Sequence, residues 1–588
     1  MEKRSLFCRR AEGEDEVLSK VRVDEAWGVV ERFNSLYRHS SERDETIAAE
    51  FLCERLKKLG VPFKRHDAKL YLSLPREAKL SAGGREYRAK TPSFSKSTWP
   101  ANVAAPLVYV PEESPGGFKV SAGFRAKVAG RIVLTEWPPA GELVVEQLAA
   151  AGVAGTVFAH PGERIHEDTC GPIWGSPERS SMHRIPAIPV IHVNRVDGDS
   201  LIAALGREPD LAATLVTRLD AGWKHTSLVV AEVPGSVWPD EFVLLHGHLD
   251  AWHVGVGDNA VGNGALLEIA RVLWGERQDL KRSLRLAWWT GHSTGRYAGS
   301  TWFADLYALD LVENCIAQVN CDSPGCRWAT DLTGVPAMAE LAEFTAQAVF
   351  DLSGQHANPD RPGRAGDYSF NNLGIPGAMM LSSKIPDEVK DAKGLYGVGG
   401  CGGNVEWHTE ADTIEIADKD ILLRDMKLYA LIAWRLANLP VHPIDCGATA
   451  REISRFARGY QEQCGDRFDV TPVALEAERL ASQLAGFYGS LADSAEALEA
   501  PSLQRVNALQ RRISRCLVEV DYSREGRFHY DPAQPVPPVP DLAWANELAD
   551  LDPGSDLFGF TQTSLQRGRN RVVYALREAQ RLLGGFNL

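Results

Sequence analysis

No apolar run in the 588 residues approaches the ~20 needed to span a bilayer, which argues against a membrane-crossing helix. Basic residues are in the minority, 64 Lys+Arg against 78 Asp+Glu, for a net charge of −14. That balance argues against nucleic acid or an anionic membrane as partner, since both need a basic face. The ten cysteines lack the spacing of a disulfide framework, and a chain this long needs no staples. They read as reduced thiols, so the expected compartment is the cytoplasm. The opening Met1-Glu-Lys-Arg-Ser-Leu-Phe-Cys8 has no apolar core of the kind a secretory signal carries. There is no internal repeat and no low-complexity tract. What is present is ordinary folded composition, 44% hydrophobic and 24% charged, which excludes disorder.

At about 150 residues per domain the length suggests roughly four units, or fewer large ones. Residues 14–36 and 46–59 carry helical apolar spacing, the second stretch ending at Gly60. Short strand-like runs follow at Leu70–Leu74 and Pro106–Val110. From 96 to 222 the texture turns to Gly/Pro-punctuated strands and short helices. These include strands over 127–135, a helix over 142–151, a buried strand at 153–159 and a helix at 199–205. The loop from His160 to His183 separates them, and the block reads as a compact α/β insert. Residues 223–440 then alternate regularly: strands at 241–247, 283–289, 315–321 and 377–382, helices at 260–274, 300–308, 335–350 and 418–437. That alternation predicts an α/β fold with a mainly parallel central sheet and flanking helices. The rest is mostly helical, at 472–498, 502–520 and 563–584. The expected organisation is a core domain from 1–95 and 223–440, an insert at 96–222, and a helical domain at 441–588. Leu475, Leu480, Leu484, Phe487, Val572, Leu576 and Leu582 bury either internally or across a two-fold axis.

Ligands of parallel α/β sheets sit outside the carboxyl ends of the strands. Here those ends read His246-Gly-His248-Leu-Asp250-Ala-Trp252-His253, with Gly257-Asp258-Asn259 opening the next helix. They continue with Gly291-His292-Ser293, with Asn320-Cys321-Asp322, and with Trp407-His408-Thr409 ahead of the last long helix. A single histidine in such a place is most often a hydrogen-bonded structural residue. Four such ends on one rim make coincidence a poor account, and imidazole plus carboxylate suits zinc or a similar divalent ion. Cys321 and Cys326 have no second cysteine pair to complete a zinc ribbon. The glycine-rich 397–403 stretch is no phosphate loop, because it lacks Lys-Ser/Thr and a following helix.

These motifs, with Gly264 to Glu268, Gly366-Asp367-Tyr368 and Gly374-Ile375-Pro376, resemble metallopeptidase family M28, the zinc aminopeptidases and glutamate carboxypeptidases. The resemblance covers 223–440 well. More weakly, 96–222 resembles a protease-associated insert and 445–588 the dimerisation region of the glutamate carboxypeptidase and transferrin-receptor branch. The resemblance implies that His248 and Asp322 hold one metal, His408 the second, and that Asp258 bridges them. Asp250 would orient His248 through its ring N–H. It also implies a cis peptide at Asp258-Asn259, a homodimer, and one or two zinc ions or other first-row metals.

The departure is at the family's Glu-Glu pair. Anchored on Trp289 and Gly295, the general base becomes His292 and the second-metal ligand becomes Ser293. Imidazole serves as ligand or as base near neutral pH, but hardly as both at once. His253 is an extra imidazole that restores a ligand or stays in the loop. Three functions remain open: a hydrolase of peptide or amide bonds with an altered base, a metalloenzyme of different chemistry such as a lyase or non-peptide C–N hydrolase, or a non-catalytic binding relative. The retained ligand positions disfavour the last. A peptide-like or N-acyl amino-acid substrate is expected. Arg296 and Arg364 (with Arg361 and Lys384) are candidates to meet its carboxylate, and Tyr368 and Trp407 to wall its pocket. Cys401 is a weak candidate for ligand or nucleophile.

Overall fold

A computed structural model describes residues 5–111, 120–136, 142–379, 381–494 and 498–586. Among the described residues, eleven strands carry the fold: β1 (Phe63–Ala82), β2 (Arg85–Tyr87), β3 (Val103–Tyr109), β4 (Ile132–Glu136), β5 (Gly155–Ala159), β6 (Val190–Val193), β7 (Ala212–Val233), β8 (Trp238–His248), β9 (Arg282–Trp289), β10 (Cys315–Asn320) and β11 (Gly377–Ala378). Their order is β11-β10-β8-β9-β7-β3-β4-β5-β6, with β1 on β7. Strands β11, β10, β8 and β9 are parallel, as are β3 to β6. The expected mainly parallel α/β sheet is therefore present, and β3 to β6 form a second group of parallel strands.

The two parts are not joined as the sequence suggests. Strands β1 and β7 pair antiparallel along nearly their whole length, from Phe63 opposite Ala231 to Ala82 opposite Ala213. One end of this ribbon belongs to the core sheet through β9, and the other carries the insert through β3. The expected boundary at 222 falls inside β7. Register shifts between Pro75 and Glu77, where the proline has no N–H to give the ladder.

The expected helices are present with shifted ends, for example Val261–Gly275 and Lys419–Asn438. The opening stretch is two helices, Glu14–Lys20 and Asp24–Phe33. The strand expected at 377–382 is only Gly377–Ala378, and Met380 lies outside the described residues, as do 495–497 of the helix expected at 472–498. The helix Cys446–Cys464 was not anticipated; Asp445 caps its start by accepting from the Gly447 N–H. No helix among the described residues is long and apolar enough to cross a membrane.

The C-terminal helices do not stand apart. Leu480, Leu484, Val572 and Leu576 are fully buried in the same apolar cluster as Val243, Leu245 and Leu266 of the core domain. Arg515 reinforces that join by donating to the carbonyls of Leu311, Val312, Gly374 and Cys315. Of the seven apolar positions expected to bury, only Leu475 is strongly exposed.

Helix Val261–Gly275, which starts at the rim of the sheet, packs closely on Asp24–Phe33. A Cβ at Gly264 would lie 2.5 Å from the Ala26 carbonyl oxygen and 2.9 Å from its Cα. Backbone cannot rotate away as a side chain can. Gly264→Ala should therefore destabilise the fold by ~1–3 kcal/mol despite alanine's higher helix propensity. Chemical denaturation read by far-ultraviolet circular dichroism checks this.

Candidate metal centre

The carboxyl ends of β8, β9 and β10 open on one side of the sheet. His248 ends β8 and is buried. Its Nδ1 lies 2.7 Å from the main-chain oxygen of Asp250, which must accept a proton, so Nε2 carries the lone pair. Nε2 faces Asp258 Oδ1 at 2.8 Å and Asp322 Oδ2 at 3.7 Å. On the far side, His408 Nε2 lies 3.0 Å from Asp258 Oδ2, and its Nδ1 lies 2.9 Å from the Glu167 carbonyl oxygen. The two oxygens of Asp258 thus face two imidazoles.

No hydrogen-bond alignment accompanies this meeting: His248 Nε2 is buried without a partner. Burial alone would depress the pKa of His248, yet Asp258 and Asp322 raise it well above the usual value. Donors that crowd together unaligned, with carboxylates calling for a positive charge between them, fit a divalent cation of the zinc type.

The loop that carries Asp258 is built from behind. Arg38, fully buried, donates to the carbonyls of Leu249, Val254 and Gly255. Asp412 accepts from the N–H groups of Gly257 at 2.6 Å and Asp258 at 3.0 Å. The Asp258–Asn259 peptide is cis. Asn259 donates to the Cys321 carbonyl and accepts from Ser323 N–H, joining the loops after β8 and β10.

His292 lies on the loop after β9, its ring stacked on His248 at 3.8 Å and 12°. One donor atom each from His248, His292 and Asp322 lies within 4.8 Å of the others. His292 Nδ1 is 2.6 Å from Asp367 Oδ2. Asp367 accepts at its other oxygen from Ser300 at 2.6 Å; Ser300 meets Ser369 at 2.8 Å, and Trp174 Nε1 donates to Ser369 at 2.9 Å. An indole N–H only donates, so the whole chain points its protons toward Asp367. Burial would raise the Asp367 pKa, but His292, His248 and the Ser300 hydroxyl hold it below the usual range. The carboxylate therefore stays ionised and fixes Nδ1–H on His292, leaving Nε2 as a free lone pair.

Several sequence expectations are corrected. Asp250 orients His248 through its main-chain carbonyl rather than its carboxylate. That carboxylate instead accepts from Ser40 Oγ at 2.6 Å and from the N–H groups of His292 and Ser293, pinning the loop after β9. His253 is not among the converging donors: its Nε2 meets Glu167 at 3.3 Å and Lys90 at 3.5 Å. Arg364 is held away from substrate by the carbonyls of Asp531 and Pro532 and by the Trp174 ring. Tyr368 is buried among Met338, Val518 and Tyr522. Arg361 pairs with Glu452 and Asp521, and Lys384 lies 3.7 Å from Asp331. Burial pushes the Cys401 thiol well up, away from nucleophilic use. Arg296 and Trp407 do line the cavity, with Trp252, Tyr297, Asp258, His292, Asp322 and His408; its volume is about 230 Å³. Asp168 and Thr169 reach it from the insert. Asp367, Asp412, Arg38 and Glu167 had no assigned part in the sequence reading.

Residues 229–432 match the model of peptidase family M28. Leucine aminopeptidase 2 of Trichophyton equinum is 23% identical over 460 residues, spanning 73% of this chain and 88% of its own length. Probable glutamate carboxypeptidase VP8 of Zea mays is 27% identical over 237 residues, 38% of this chain and 32% of its own. Among solved structures, a peptidase M28 precursor from Shewanella amazonensis superposes with a TM-score of 0.57 at 17% identity, covering 73% of this chain and 97% of that one. A zinc aminopeptidase from Bacillus subtilis gives 0.56 at 17% identity, covering 72% and 97%. At those identities the superpositions speak for the fold, and the family match falls on the residues that build the site. Through residues 229–432 the chain is similar to peptidase family M28.

Proposed function

We propose that this chain is a metal-dependent hydrolase of peptide or amide bonds in small substrates, aminopeptidase- or carboxypeptidase-like, with His292 as its base. The observation that carries the reading is His248 Nε2, unaligned and buried between Asp258 and Asp322, beside a histidine backed by an ionised carboxylate. Relatives named leucine aminopeptidase and glutamate carboxypeptidase support the substrate class. His248, Asp258, Asp322 and His408 would hold one or two zinc ions or a related first-row metal. When bound, such an ion polarises a carbonyl and lowers the pKa of water.

The chain's own groups do the rest. His292 takes a proton from the attacking water on Nε2 and returns it to the departing nitrogen. Asp367 stabilises the imidazolium that forms and keeps the tautomer correct for the next turnover. Asp250 holds the His292 loop by two N–H groups, so the ring cannot swing off His248. Arg296 faces the cavity as the cation for a substrate carboxylate, between the walls of Trp252 and Trp407. The parallel strands β3 to β6 and their helices support a protease-associated-like insert. The ten free thiols support a reducing, cytoplasmic setting. Leu557, Phe560 and Tyr574, exposed on the last helix, support two-fold pairing there.

A second reading makes His292 a third ligand beside His248 and Asp322, favoured by the 4.8 Å clustering of their donor atoms. The base would then be absent and the chemistry different.

Hydrolysis of aminoacyl anilides, dipeptides or N-acyl amino acids should vanish on dialysis against a chelator and return with Zn²⁺. A metal-replete chain inert toward all three substrate classes would overturn the hydrolase reading. His292→Ala should keep its bound metal, measured by elemental analysis, while kcat falls about 10²–10⁴-fold. Loss of metal in that variant would instead make His292 a ligand.

A further inference from the structure

His253 is the one histidine of the β8 loop that the site does not absorb, and its partners lead into the insert. The insert loop touches the metal loop at two consecutive residues on each side. His166 Nδ1 lies 2.7 Å from the Trp407 carbonyl oxygen. Glu167 N–H donates to the His408 carbonyl at 2.7 Å, and His408 Nδ1–H returns to the Glu167 carbonyl at 2.9 Å. The last of these bonds sets the ring of a candidate ligand. His408 itself has φ +57°, a left-handed conformation that a side-chain-bearing residue keeps only where its surroundings impose it.

What holds the insert loop at that place is the Glu167 side chain. Its Oε1 is 3.1 Å from Lys90 Nζ and 3.3 Å from His253 Nε2. Lys90 reaches a second carboxylate, Glu410, at 2.9 Å, and Glu410 stands two residues beyond His408. The Lys90 main chain is in turn paired in both directions with His192 of β6. One ammonium therefore ties the insert sheet, the insert loop and the His408 loop together. Arg88, at 3.5 Å from Glu410, is the other cation at this junction, and it is largely solvent-exposed.

We propose that Lys90 and Glu167 form a latch through which the insert positions His408 for its metal ion. Both are positioning residues; neither lies among the metal donors. Without the Lys90 ammonium, only His253, at 3.3 Å from Glu167 and 4.0 Å from Glu410, stands beside both carboxylates, and Glu167 loses a permanent positive charge in a nearly buried place. The insert loop then has reason to move off, and His408 Nδ1–H loses its acceptor. Losing the acceptor of a ligating histidine typically weakens metal binding about 10–100-fold. The proposal rests on His408 being a ligand, and it needs no assumption about the reaction.

The test is Zn²⁺ affinity and stoichiometry of the full chain, by competition with a fluorescent chelator and by elemental analysis, alongside melting of the metal-free protein. In Lys90→Met, affinity for one zinc equivalent should fall about 10–100-fold, while Lys90→Arg restores it. Should Lys90→Met fail to fold, Glu167→Gln keeps the side-chain shape without its charge and should still weaken binding about tenfold. Wild-type affinity and stoichiometry in a folded Lys90→Met or Glu167→Gln variant overturn the latch and leave the metal site standing. A wild-type chain that binds no zinc overturns both.

Discussion

Asp258 is the residue on which the site depends. One carboxylate, buried beneath the rim of the sheet, presents an oxygen to each of two imidazoles that come from opposite sides of the cavity. A buried anion in that position needs compensation, and the fold supplies it in layers. Asp412 cannot compensate charge; it fixes direction, by accepting the two N–H groups that lead into Asp258. Its own burial pushes its pKa up to about 7, as expected of a carboxylate next to another. Arg38 supplies positive charge from below while tying three carbonyls of the loop. The remaining deficit is in front, between Asp258 and Asp322, where a cation completes the set.

Where the resemblance would put a Glu-Glu pair in that same space, His292 and Ser293 carry no carboxylate. The structure shows a compensating arrangement on the far side of the ring: Asp367, buried and ionised, at 2.6 Å from His292. A carboxylate thus stands behind the imidazole.

Much of this was legible in the sequence, for a geometric reason. A parallel sheet puts the ends of its strands on one rim, so His248, Asp258, His292 and Asp322 could be found by reading strand ends in order. Their loops are short and the helices between them strongly periodic. Three kinds of feature were not legible. Partners distant in sequence, such as Asp367 behind His292 or Glu167 against His408, leave no local pattern. His253 misleads because five residues from a ligand is near in sequence, while the loop turns it toward the insert. Strand β1 was seen only as Leu70–Leu74 because its flanks are too polar to signal a strand; pairing with β7 keeps them extended. The helix Cys446–Cys464 hides likewise, its apolar positions being sparse and its burial supplied by neighbouring helices.

The second partners of the three histidines differ in kind. His248 and His408 each give the ring N–H to a main-chain carbonyl, of Asp250 and Glu167. A carbonyl orients an imidazole and fixes its tautomer, but offers little to an imidazolium. His292 alone gives its N–H to a carboxylate, which His292 itself, His248 and, behind them, the Ser300 hydroxyl hold below the usual range, with Ser369 and Trp174 next in line. A carboxylate behind the ring suits a base that passes through imidazolium, and it equally suits a metal ligand, whose second ring N–H often meets a carboxylate. Trp174 comes from the insert, as Glu167 does. The insert therefore supports both sides of the cavity, through Glu167 behind His408 and through Trp174 in the chain behind His292.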